Sequence, residues 1–160
     1  MERTDAKTFV KLATQLIEER KQGIKWPPEV YEVNLKLMCP AAFEAVIPRW
    51  VPDGTLRGSL EVWLTQRSAD EPAFPGMWHG PGTYFLPGES DEETALRLVD
   101  KELRPARLVR FEQVTSINLR HDLRFRASTR SVIFCCWLNG IPAEGRWWRV
   151  DRLGEVNLID

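Results

Sequence analysis

Long apolar runs are missing from this 160-residue chain. Nowhere do the roughly 20 consecutive hydrophobic residues of a membrane-spanning helix occur, which excludes that class. The opening MERTDAKTFV is charged throughout and lacks the apolar core of a secretion signal, so a cytoplasmic protein is expected. Charge of one sign is not in excess either: the formal net charge is -1. Nothing global therefore points to nucleic acid or an anionic membrane as partner. Cysteine is scarce, at three residues, an odd number. Cys135 and Cys136 are adjacent, would face opposite sides of a strand, and have no further ligand types nearby at metal-binding spacing. Buried free thiols in a reducing compartment are expected. Repeats and low-complexity linkers are absent, and the length suits one domain.

What is present is an ordinary globular composition, 43% hydrophobic and 28% charged. Phe9, Leu12, Ala13, Leu16 and Ile17 fall at helical spacing and predict a helix over about 5–22, stopped near Gly23. Trp26-Pro27-Pro28 then breaks the chain. The alternation from Tyr31 to Leu37 fits a strand, whereas its proline flanks fit a short helix. From Ala41 the pattern turns to β. Phe43 to Trp50 reads as one strand, Pro52-Asp53-Gly54 as a turn, and Ser59 to Gln66 as the returning strand. Arg67 to Pro81 is a long loop, with Phe74, Met77 and Trp78 to hold it against the body. A short strand follows over 82–87. Ser90 then caps a helix through Leu103, with Glu93 completing a capping box. Three further strands are expected around Leu108–Val114, Ser131–Leu138 and Trp147–Val150. This order implies an α/β or α+β sandwich.

The segment GTYFLPGESDEETALRLVDKEL, residues 82–103, resembles the Nudix box, the strand-loop-helix signature of Nudix hydrolases. That signature runs Gly, five residues, Glu, seven residues, then Arg-Glu-aliphatic-any-Glu-Glu-any-Gly. Seven residues separate Glu89 from Arg97, as the pattern requires. The flanks LTQRSADEPAFPGMWHGPGT and RWWRVDRLGEVNLI resemble the family's neighbouring strands. The resemblance implies a Nudix-type αβα sandwich with a mixed sheet over 41–160 and an N-terminal helical extension over 1–40. That extension would either cover the sheet or build a homodimer interface.

The resemblance also implies a substrate and a cofactor: a nucleoside diphosphate derivative, such as a nucleotide sugar, cleaved with Mg²⁺ or Mn²⁺. Three glutamates at i, i+3 and i+4 share a helix face and can gather a hard cation. Here those positions read Leu98, Lys101 and Glu102. Two carboxylates are replaced, one of them by a cation, and an ordinary multi-metal site is not expected. GDP-mannose mannosyl hydrolases share the two losses, which suggests a reduced, single-metal site on Glu102 with help from Glu89. Glu144 and His79 are the further catalytic candidates. Glu89 and Arg97 are also the pair that ties loop to helix in this family. Leu98 is expected to make the site drier. Arg67, Arg97, Arg124 and Arg126 are candidates to neutralise phosphate, the last two from a segment that gathers four arginines between 120 and 130. Trp78 is a candidate to stack on a base. The competing expectation is a nucleotide-binding or regulatory module without catalysis.

Overall fold

The computed structural model describes residues 6–22, 24, 26–30, 40–52, 54, 58–71, 74–119 and 129–159. The ambiguous stretch from Tyr31 to Leu37 and the arginine-rich segment with Arg124 and Arg126 lie outside them. Among the described residues no helix is long and apolar enough to cross a membrane.

Two sheets carry the domain. The first has the order β5-β1-β7-β6, built from β1 (Ala41–Val46), β5 (Gly82–Tyr84), β6 (Arg107–Leu119) and β7 (Thr129–Asn139). It is mixed, because β1 pairs parallel with β7 while the β1–β5 and β6–β7 pairs are antiparallel. The second is antiparallel: β3 (Ser59–Gln66) pairs with β2 (Pro48–Val51), β4 (Trp78–His79) and β8 (Arg146–Arg149). The chain passes between sheets at Ile47, so the single strand expected over 43–50 is divided there. Ile47 is buried, and its carbonyl accepts from Trp63 N–H at 3.0 Å, which starts pairing with the second sheet. The expected loop over 67–81 contains the short β4. The last expected strand ends at Arg149, and Val150–Glu155 is a 3₁₀ turn.

Alternation on β1 sends Phe43 and Ala45 to one face and Ala42 and Glu44 to the other. The Phe43 face meets the middle helix, α2 (Asp91–Glu102), and forms the core. Phe43 and Phe134 stack with centroids 4.0 Å apart, and Phe111 and Phe85 meet Phe43 edge-on at 6.1 Å. Thr94, Ala95, Leu98 and Val99 supply the helix side. Leu98 is 1% exposed. The expectation that it lines and dries the site is therefore corrected: it is a core residue. The Ser90–Glu93 capping box forms as expected, with Ser90 N–H donating to Glu93 Oε2 at 2.8 Å and Glu93 N–H to Ser90 Oγ at 3.3 Å.

The N-terminal helix α1 spans Ala6–Lys21. Trp26 folds back on it and donates its indole N–H to the Leu16 carbonyl at 3.0 Å. Leu12 and Ile17 on its apolar stripe are 53% and 43% exposed.

Candidate functional site

The face of β1 turned away from the core helps form the wall of a cleft of about 700 Å³. Its other walls are the end of β3, the β4–β5 region, the C-terminal end of α2 and the loop at Ala143–Glu144. Arg67, His79, Glu102 and Glu144 all line it, as do Glu44, Glu71, Lys101 and Arg104. A second, more apolar cavity of about 470 Å³ shares Ala42, Glu44, Arg67, His79 and Tyr84 with the first, and extends to Trp63, Ile133 and Leu153.

Each side chain is held by its element. Arg67 follows β3 directly, and its backbone N–H donates to the Met77 carbonyl at 3.0 Å. Its Nη2 donates to Glu71 at 2.6 Å, while its Nε is buried with no partner among the described residues. His79 stands opposite Thr65 in the β3–β4 register. Its Nδ1 lies 2.7 Å from the Gly80 carbonyl, which can only accept, so the neutral ring carries its proton there. The Nε2 lone pair then faces Thr65 Oγ1 at 3.4 Å. Glu102 ends α2, and the Lys101 ammonium donates to its Oε1 at 3.1 Å. Glu144 is placed by its neighbours: Ala143 N–H donates to the Arg104 carbonyl at 2.9 Å. On its other side Gly145, at φ +109°, packs so closely that a Cβ would come 2.5 Å from the Leu64 carbonyl.

Two expected site residues turn inward to structure. Arg97 donates from Nε to Glu89 Oε1 and from Nη2 to Glu89 Oε2, both at 2.7 Å, and also reaches Thr83 Oγ1 and the Tyr84 carbonyl. Glu89 accepts in addition from Leu86 N–H and Thr94 Oγ1, both at 3.0 Å. The Arg97 guanidinium above all holds the Glu89 carboxyl below the usual glutamate range, against the opposing effect of burial. Neither residue lines the cleft. They tie the β5–α2 loop to the helix, with four of the five Arg97 N–H donors engaged. Trp78 also lies outside both cavities. Its ring meets Trp148 edge-on at 5.3 Å and carries the Arg146 guanidinium at 4.7 Å.

Among the described residues the side chains do not assemble a donor set for a divalent cation. Magnesium takes six oxygens in near-octahedral array. Among the described residues no three His, Cys, Asp or Glu side chains converge. Glu102 Oε1 is paired with the ammonium of Lys101, the residue just before it, whose side chain is 67% exposed. Arg104, Lys101, Glu71 and Glu44 were not singled out as site residues by the sequence. Only the chain's path brings them to one cleft, although Lys101 was visible as a cation in an acidic position.

The NUDIX domain family model matches residues 46–158. No curated protein matches the chain in sequence. Solved structures show the same fold at low identity. One of the MutT proteins of Aliivibrio salmonicida and Vibrio cholerae matches with a TM-score of 0.55 and 17% identity, over 75% of this chain and 87% of that one. The NUDIX domain of Shewanella oneidensis NrtR, complexed with ADP ribose, matches with a TM-score of 0.55 and 19% identity, over 88% of each chain. The C-terminal domain of mouse MUTYH, in complex with human PCNA, matches with a TM-score of 0.52 and 18% identity, over 74% and 79%.

Proposed function

The chain belongs to the NUDIX domain family, and from that premise we propose that its cleft binds a nucleoside diphosphate derivative as a small-molecule ligand. The observation that carries this reading is convergence. Arg67, His79, Glu102 and Glu144 lie far apart in sequence and line one cleft, and the buried Arg67 Nε has no acceptor among the described residues. A guanidinium with an unsatisfied N–H suits a phosphate oxygen. The adjoining apolar cavity suits a base or sugar face. ADP-ribose, the ligand of one fold neighbour, is a natural first probe. Free Cys135 and Cys136 suit a reducing compartment such as the cytoplasm.

A panel of ADP-ribose, nucleotide sugars, dinucleotides and nucleoside triphosphates, screened by thermal shift and isothermal titration, tests the reading. At least one ligand should raise the melting temperature of the parent chain, with the shift lost in Arg67→Ala. A panel that leaves the parent unmoved throughout refutes it.

Hydrolysis is a second reading, favoured by one specific observation: the His79 imidazole and the Glu144 carboxylate, both able to serve as bases, line the same cleft. Product analysis by mass spectrometry in ¹⁸O water decides it, with His79→Gln and Glu144→Gln as controls. Turnover lost in one of them supports hydrolysis. Turnover that persists in both removes these bases from the account. For a single metal held jointly on Glu102 and Glu89 the placement offers no support, because Glu102 lines the cleft and Glu89 does not.

A further inference from the structure

Three cations reach the cleft from two stretches of chain: Arg67 after β3, Lys101 in the last turn of α2, and Arg104 just beyond it. Each is held by an acid, Arg67 by Glu71 at 2.6 Å, Lys101 by Glu102 at 3.1 Å, and Arg104 through its Nε by Asp100 at 2.8 Å. Lys101 and Arg104 are largely exposed, and exposed pairs of this kind contribute little net stability. A doubly charged ligand can therefore take their place without loss to the fold. Arg67 differs, since only 18% of its side chain is exposed and its Nε is buried without an acceptor among the described residues. A buried donor left unpaired is costly, and a small turn of the side chain into the cleft would bring it to a ligand oxygen.

The acids of the cleft do not assemble a cation site, yet a diphosphate needs its charge balanced. We propose that this cleft binds the diphosphate group without a divalent metal, the Lys101 ammonium supplying the positive charge from the protein itself and Arg67 Nε donating to a phosphate oxygen. The inference rests on the ligand class proposed above and adds how that ligand is held. Lysine is suited to the part: a compact point charge on a flexible stem, able to leave Glu102 and meet phosphate. No bond is made or broken in this step; the Lys101–Glu102 and Arg67–Glu71 pairs open and the ligand's oxygens accept in place of the carboxylates.

Isothermal titration of the full chain with ADP-ribose and with inorganic pyrophosphate, in excess EDTA and in millimolar MgCl₂, tests it. The parent should bind at least one of these probes in EDTA, with affinity within about threefold of that in MgCl₂. Lys101→Glu should weaken binding in EDTA by roughly tenfold or more and recover part of it when Mg²⁺ is added, while Lys101→Arg stays near the parent. Lys101 is exposed enough that unchanged circular dichroism will separate lost binding from lost folding. Binding by the parent only with Mg²⁺ overturns the inference and leaves the ligand class standing. Equal binding by Lys101→Glu in EDTA overturns the role of Lys101. No binding of either probe in either buffer overturns the inference together with its premise for diphosphates.

Discussion

Leu98→Glu restores a carboxylate at a position where the family pattern carries one, and the structure predicts that it damages the protein. Leu98 is 1% exposed and packs in the cluster that contains Phe43, Val99 and Phe134. Truncation to alanine at such a site costs about 2–5 kcal/mol. Glutamate adds a carboxylate with no partner in that cluster, which costs a further few kcal/mol or forces the group to stay protonated. Against a total stability of about 5–15 kcal/mol the sum is most of the reserve. Leu98→Ala should then lower the melting temperature by about 4–20 °C, and Leu98→Glu by more than the alanine variant at neutral pH. The sign with pH is fixed by burial, which raises the carboxyl's folded-state pKa above its unfolded value. The variant is thus least penalised below the ordinary glutamate range, and the penalty grows as pH rises through and above it. Calorimetry of both variants across that range provides the assay. A Leu98→Glu protein that melts within about 3 °C of the parent at neutral pH, and that binds Mg²⁺, would place residue 98 in the cleft and refute the packing described here.

Three other substitutions probe the frame that holds the cleft. Glu89→Gln should cost about 2 kcal/mol in urea denaturation, since it weakens a charge-assisted pair of hydrogen bonds with Arg97. The Glu89 carboxyl is held low, so its contribution is present above the ordinary glutamate range and fades as pH falls through the lowered folded value; the acid loss of stability should be shallower in Glu89→Gln than in the parent. Ser90→Ala should cost about 1 kcal/mol, a drop of about 2–4 °C by calorimetry, by removing one half of the capping box. Gly145→Ala should cost upward of about 2 kcal/mol in urea denaturation, because φ is +109° and a methyl would press on the Leu64 carbonyl. Ligand affinity should fall with it, as Glu144 moves.

Local signals carried much of the fold. The span of β3 is Ser59–Gln66 as read from alternation, and the cap of α2 is visible in Ser90 and Glu93 because capping is chemistry within one turn. The Glu89–Arg97 tie was expected from the family resemblance, which the spacing of the two residues supported. Long-range events were not. Nothing local in Phe43–Trp50 announces that the chain changes sheets at Ile47, since both halves pair well as strand and the partners lie elsewhere. The apolar stripe of α1 was read correctly as helical, but periodicity cannot say what a helix faces, and Leu12 stands in solvent. The site followed the same division. Arg67, His79, Glu102 and Glu144 were read from residue type and position, and they meet. Trp78 and Arg97 were equally plausible by type, yet Trp148 and Arg146 engage the first and Glu89 the second. Glu44 and Glu71 needed the folded chain to bring them in.

A crystal structure of the full chain grown with ADP-ribose in excess EDTA shows directly whether a diphosphate lies in the cleft against Arg67 and Lys101. The expected result is phosphate oxygens within hydrogen-bond distance of Arg67 Nε and Lys101 Nζ, with the Lys101–Glu102 contact opened. A ligand seated elsewhere, or one that enters only when Mg²⁺ replaces EDTA and bridges it to Glu102, would contradict it.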